Sequence, residues 1–149
     1  MKEGNQKIVE YLVKSGVDID QEDERQWSPI HQAIFQRNTR IVQFLVDKGA
    51  KLDQNNPNGY SALTSSIERG NNEIVELLIM NGVDINKEDN NMNYPVFVAI
   101  INDRKEVLKI MYERCTAPLK HRYLSGYSPL EYALKHQKFD AFKSITIYD

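Results

Sequence analysis

The residues of this 149-residue chain best equipped for chemistry are three histidines, one cysteine and a short acidic run. Cys115 and His121 suggest a thiolate and its base, an arrangement that also needs a third group to orient the imidazole. Pro118 interrupts the connection between them and no orienting group is evident, so nucleophilic catalysis is not expected. His31 and His136 stand far apart, and the chain holds no glycine-rich phosphate loop, no His-Glu-x-x-His and no Cys-x-x-Cys. The carboxylates Asp18, Asp20, Glu22, Asp23 and Glu24 read as a solvated surface that could draw a basic peptide at low salt. What remains is the chemistry of recognition, for which the large aromatics Trp27, Tyr60 and Tyr127 are the best equipped.

Composition narrows the setting in which such recognition works. Hydrophobic residues make up 41% and charged residues 27%, values of a folded globular chain rather than a disordered one. The formal net charge of -2 provides no basic excess for nucleic acid or an acidic membrane. No apolar run approaches the roughly 20 residues of a membrane span, and Met1 to Lys7 lacks the apolar segment of a signal peptide. A single cysteine permits no intrachain disulfide. The expectation is a monomeric cytoplasmic protein, with the nucleus left open. No cofactor, metal or small-molecule substrate is expected.

The elements that must position these residues follow from internal repetition. The segments beginning Ile8-Val9, Ile41-Val42 and Ile74-Val75 align without gaps, and the glycines that follow them, Gly16, Gly49 and Gly82, are 33 residues apart. A further step of 33 reaches Cys115, after a matching segment from Val107 to Arg114. A second register, Ser28, Ser61, Tyr94 and Ser128, keeps steps of 33, 33 and 34 residues. Each unit reads as two helices. The second carries a stripe such as Ile41, Val42, Leu45 and Val46, closed by a glycine suited to left-handed backbone. The first opens on Ser28-Pro29 or Ser128-Pro129, where serine is expected to cap the helix and proline to occupy its first turn. Helices of about ten residues are too short to stand alone, so the stripes must be buried against neighbouring units.

With its Ser28-Pro29-Ile30-His31 start, its Gly82-Val83-Asp84-Ile85-Asn86 ending and its Gly59 and Gly126 turn residues, the chain resembles the ankyrin-repeat family. The resemblance implies an all-α solenoid of stacked helix-turn-helix units with β-turn fingers. The units fall at about 1–22 (partial), 23–55, 56–88, 89–122 and 123–149, forming a single domain. The first unit lacks its first helix, which suggests a piece of a longer array. The fourth lacks its closing glycine, and the fifth ends in a weaker stripe through Tyr148. At the family's histidine position, His31 is expected to serve the structure by bonding neighbouring backbone.

The resemblance further implies a protein partner, bound by the finger tips and the face made by the first helices. Carried over by position, the binding candidates are Arg25, Trp27, Phe35 and Gln36, then Asn58, Tyr60 and Arg69, and then Asn93, Ile101 and Tyr127. The residue before each helix start is Trp27, Tyr60, Asn93 or Tyr127, a candidate aromatic ladder that would make a partly apolar strip beside Phe35 and Ile101. The same rings could instead shield the helix starts. A second reading of the chain is a regulatory or spacer array within a larger enzyme or membrane protein.

Overall fold

The computed structural model describes residues 2–114 and 126–147, so Cys115, Pro118, His121, Leu124 and Ser125 lie outside the described residues. Nine helices form among the described residues: α1 (Lys2–Lys14), α2 (Pro29–Phe35), α3 (Thr39–Asp47), α4 (Ala62–Glu68), α5 (Asn72–Met80), α6 (Pro95–Ile101), α7 (Lys105–Arg114), α8 (Pro129–Lys135) and α9 (Phe139–Ile147). From α2 onward they pair as α2–α3, α4–α5, α6–α7 and α8–α9. The first helices α2, α4, α6 and α8 stack in one row, and α1, α3, α5, α7 and α9 stack in a second.

Burial follows the repeat. Ile30 and Ile34 of α2, Leu63 and Ile67 of α4, and Val96 and Ile100 of α6 are all buried. In the second row, Ile41, Val42 and Leu45 of α3 match Ile74, Val75 and Leu78 of α5 and Val107, Leu108 and Met111 of α7, again all buried. Complete burial of one such side chain is worth about 1.5–3 kcal/mol, and this burial offsets the weakness of the isolated helices. One position per first-row helix must stay small, and it reads Ala33, Ser66, Ala99 and Ala133. Ser66 satisfies its hydroxyl on the carbonyls of Ala62 and Leu63, both at 2.9 Å.

The expected left-handed glycines are present, with φ of 88°, 83° and 84° at Gly16, Gly49 and Gly82. A second left-handed register closes the first-row helices at Arg37, Gly70, Asp103 and Gln137, three of which are not glycine.

The helix starts differ from the serine-cap expectation in one case. Ser128 accepts from the Glu131 amide in a reciprocal capping box, and Ser61 does the same with Thr64. Ser28 makes no such cap, because its hydroxyl lies 2.8 Å from Nδ1 of the buried His31. Asn38 and Asn71 cap α3 and α5 through their side chains, accepting from the amides of Ile41 and Ile74.

Cations tie the rows together across the repeat boundaries. Arg104 donates from Nε to the Ile67 carbonyl at 3.1 Å and from Nη2 to the Glu68 carbonyl at 2.7 Å. Arg69 reaches the Phe35 carbonyl at 3.4 Å, and Arg37 donates to the Arg69 carbonyl. A positive group at a helix C-terminus meets both the open carbonyls and the negative end of the dipole. Lys138 and Asp103 continue the series as an ion pair at 3.2 Å.

Burial pushes the His31 imidazole down to about 4, with the backbone of Gln54 pulling the other way. The folded chain therefore favours the neutral ring, while the unfolded chain takes up a proton at the ordinary 6.5. Stability from this group is complete above the unfolded value and drains away as pH falls from 6.5 toward about 4. That window holds on the order of 3 kcal/mol. We expect His31→Gln to reduce the difference in unfolding free energy between about pH 7 and about pH 4 by this amount in denaturant titrations. An unchanged difference in the variant would assign the acid sensitivity to other groups.

Candidate protein-binding face

The segments before α2, α4 and α6 are fingers built on one acceptor each. Asp23 Oδ1 accepts from the amides of Arg25 and Trp27, both at 2.9 Å. Asn56 Oδ1 accepts from Asn58 and Tyr60 at 3.0 and 3.1 Å, and Asp89 Oδ1 from Asn91 and Asn93 at 2.9 Å each. The backbone closes each loop in the other direction, with Asp23, Asn56 and Asp89 donating to the carbonyls of Trp27, Tyr60 and Asn93. A short acceptor side chain that bonds amides two and four residues on fixes the turn locally. The Asp23 carboxyl is held below the usual carboxylate range, chiefly by the Trp27 amide. Asp23 was read only as part of a solvated acidic surface, and Asn56 and Asp89 were missed, although the spacing of 33 residues among the three is plain in the sequence.

The fingers also hold one another. Asp89 Oδ2 accepts from the Thr64 hydroxyl at 2.8 Å, binding the third finger to α4. Asn91 donates its side-chain amide to the Asn58 carbonyl at 2.8 Å, and Asn55 donates to Asn90 at 3.0 Å. Gly59 lies directly beneath the Asn91 amide, where an added Cβ would come within 2.6 Å of it. This is the second reason for glycine there, besides its φ of 85°.

On this frame, the residue before each helix start reaches toward the residue eight positions on, in the last turn of the same helix. The Trp27 ring meets Phe35 edge-on at 5.7 Å and His31 at 6.5 Å. The Glu68 carboxylate lies beside the Tyr60 phenol and, ahead of burial and Asp89, pushes it above its ordinary value. Lys135 donates to the Tyr127 hydroxyl at 2.9 Å and sits over its ring at 4.3 Å. Asn93 instead directs its amide to Asp89 Oδ2 at 3.4 Å. The aromatics are thus separate stations, one to a repeat, each with its own neighbour.

The richest station is the first. Phe35 is 50% exposed, and the Arg69 guanidinium of the next repeat lies 3.9 Å from the centre of its ring. Trp27, Phe35 and Arg69 therefore converge on one surface patch spanning two repeats. Ile101 is 44% exposed at the corresponding place on α6, and Arg25 and Asn58 are exposed on the finger tips. Gln36, exposed beside Phe35, also lines a groove that faces α1. His136 packs on Tyr132, their ring centres 4.3 Å apart, and Tyr132 stacks on Phe97 at 4.2 Å. Among the described residues no cluster of three histidine, cysteine, aspartate or glutamate side chains could hold a metal, and no helix is long and apolar enough to cross a membrane.

Short helices paired by left-handed turns, stacked in two rows and fronted by hydrogen-bonded fingers define a helical repeat protein. The chain belongs to the ankyrin-repeat family: the model for ankyrin repeats (3 copies) matches residues 1–89. Ankyrin repeats are generally protein–protein interaction modules. Comparison with curated proteins returns no match.

Met92 was also missed. It is 78% exposed at φ 59°, on a finger position where Gly59 and Gly126 stand in neighbouring repeats. Left-handed backbone costs a side chain roughly 1–2 kcal/mol, and an exposed methionine recovers little by packing. We expect Met92→Gly to raise the unfolding free energy by about 1 kcal/mol after the entropy lost by glycine, measured by urea titration. An unchanged or lower midpoint would show that the methionine side chain holds the finger.

Proposed function

We propose that this chain binds a protein partner through its finger tips and the face of its first-row helices, with Trp27, Phe35 and Arg69 as the principal anchor. The observation that carries this reading is the convergence of an indole, a half-exposed phenyl ring and a guanidinium stacked upon it. Trp and Arg are enriched in binding hot spots, Trp because it buries large area for two torsions and Arg because its planar guanidinium stacks on aromatic rings. Here each is already held by its neighbours, which lowers the ordering cost at the moment of binding.

The chemistry of the anchor suggests the character of the partner. An apolar or aromatic side chain would fit against Phe35 and Trp27. Glu22, Asp23 and Glu24 on the adjoining finger favour basic residues next to it, so association slows as salt rises. Gln36, Tyr60, Asn58, Asn93, Ile101, Arg25 and Tyr127 extend the contact along the stack. This reading contains no catalytic step. The alternative role, a regulatory or spacer array in a larger protein, would use the stack for its length and stiffness rather than for this patch.

The test is affinity capture with the wild-type chain and Trp27→Ala, followed by titration of the partner so found. Removal of the indole should weaken binding about tenfold or more, a loss of about 1.4 kcal/mol or above. The thermal midpoint should move by only a few degrees. A large loss of stability at unchanged affinity would overturn the proposal and favour the spacer role.

A further inference from the structure

Glycine follows asparagine at two places in the sequence, Asn58-Gly59 and Asn81-Gly82. Such a pair has a covalent chemistry of its own. The backbone nitrogen of the glycine gives up its proton and attacks Cγ of the asparagine side chain. The N–Cγ bond that forms closes a five-membered imide, the Cγ–Nδ2 bond breaks, and that nitrogen takes up a proton and leaves as ammonia. Water then opens the imide at either carbonyl, giving aspartate or isoaspartate. A side chain on the attacking residue crowds the approach, and glycine has none.

The fold treats the two pairs differently. Both glycine nitrogens donate to a backbone carbonyl, Gly59 to Asn56 at 2.8 Å and Gly82 to Ile79 at 3.1 Å, so in each case a turn must open before reaction. What separates them is the amide under attack. Asn58 is exposed at the tip of the second finger, and its side-chain amide makes no hydrogen bond among the described residues. A groove of about 420 Å³ lined by Asn58, Gly59 and Glu22 opens beside it, so water reaches the tip. Asn81 donates its side-chain amide to the Leu77 carbonyl at 2.8 Å. Opening there also frays the end of α5, a helix packed between α3 and α7. Asn91 is the equivalent of Asn58 in the third finger, but Met92 follows it and its amide is held by the Asn58 carbonyl.

We propose that Asn58 is a site of spontaneous deamidation, with the Gly59 nitrogen as internal nucleophile, while the fold protects Asn81. Either product places a new carboxylate near Glu22 at the finger tip. In the isoaspartyl product the main chain runs through the former side chain, and the carbonyl that accepts from Asn91 becomes a free carboxylate. The link between the second and third fingers thus changes with the age of the molecule. The reaction requires no partner and no enzyme.

The test is to incubate the full chain in mildly alkaline buffer and follow amide-to-acid conversion by mass spectrometry. The tryptic fragments 52–69, 70–87 and 88–104 separate Asn58, Asn81 and Asn91, and fragmentation assigns the residue within each. In the folded chain Asn58 should convert about fivefold faster than Asn81, the factor that one net hydrogen bond supplies, and Asn91 should stay intact. In guanidinium chloride the Asn58 and Asn81 rates should agree within about twofold, since the unfolded chain holds neither amide. Asn58→Gln should abolish the conversion in fragment 52–69, because the longer side chain must close a less favoured six-membered ring. Absence of conversion at Asn58, equal or faster conversion at Asn81 in the folded chain, or a difference that persists unchanged in guanidinium chloride would overturn the proposal. So would conversion in fragment 52–69 that survives Asn58→Gln.

Discussion

Every feature of this molecule depends on burial between repeats. The first-row helices are seven residues long, two turns at most, and such helices have no appreciable stability in water. Ile34, Ile67 and Ile100 hold them because each is buried against the neighbouring layer as well as its own. The fold is in this sense one-dimensional: a layer is as stable as the contacts it makes before and after it. That constraint explains the small residue repeated at Ala33, Ser66, Ala99 and Ala133, the only kind of side chain that lets adjacent helices approach closely.

The variety of the exposed surface is a by-product of the same constraint. Because the apolar stripes are consumed between layers, whatever remains on the fingers and last turns is free to vary. The chain places an indole, phenols and an asparagine at one equivalent position, and phenylalanine, glutamate, isoleucine and lysine at another. The paired positions lie eight residues apart, so each repeat sets its own surface chemistry without disturbing its neighbours. Arg69 departs from that independence, since its guanidinium covers a ring belonging to the repeat before it.

Much of the fold was legible in the sequence, and the reason is periodicity. Two registers locate the helix pairs from α2 to α9, with Tyr94 and Cys115 in place of serine and glycine in the α6–α7 unit, and the apolar stripes identify their buried faces. Less of the candidate face was legible. The positions of Trp27, Tyr60 and Tyr127 stand out in the repeat, but their neighbours do not, because Phe35 and Lys135 are reached only once the finger folds over its own helix. The finger acceptors Asp23, Asn56 and Asp89 kept the period yet looked like ordinary loop polar residues. Arg104 was hidden for a different reason. It occupies the place of the capping asparagines Asn38 and Asn71, and its partners Ile67 and Glu68 are backbone carbonyls of another repeat, which leave no trace in residue type. The Ser28 cap was misjudged because serine has one hydroxyl and the buried His31 claims it.

The arginine contacts have a consequence for the order in which the molecule is made. The Phe35 carbonyl at the end of α2 is held by Arg69, and the Ile67 and Glu68 carbonyls at the end of α4 are held by Arg104. In both cases the holder is synthesised after the helix it completes. As the polypeptide leaves the ribosome, the end of α2 waits 34 residues and the end of α4 waits 36 before these guanidinium groups exist. These two helix ends are thus completed one repeat after the helices themselves.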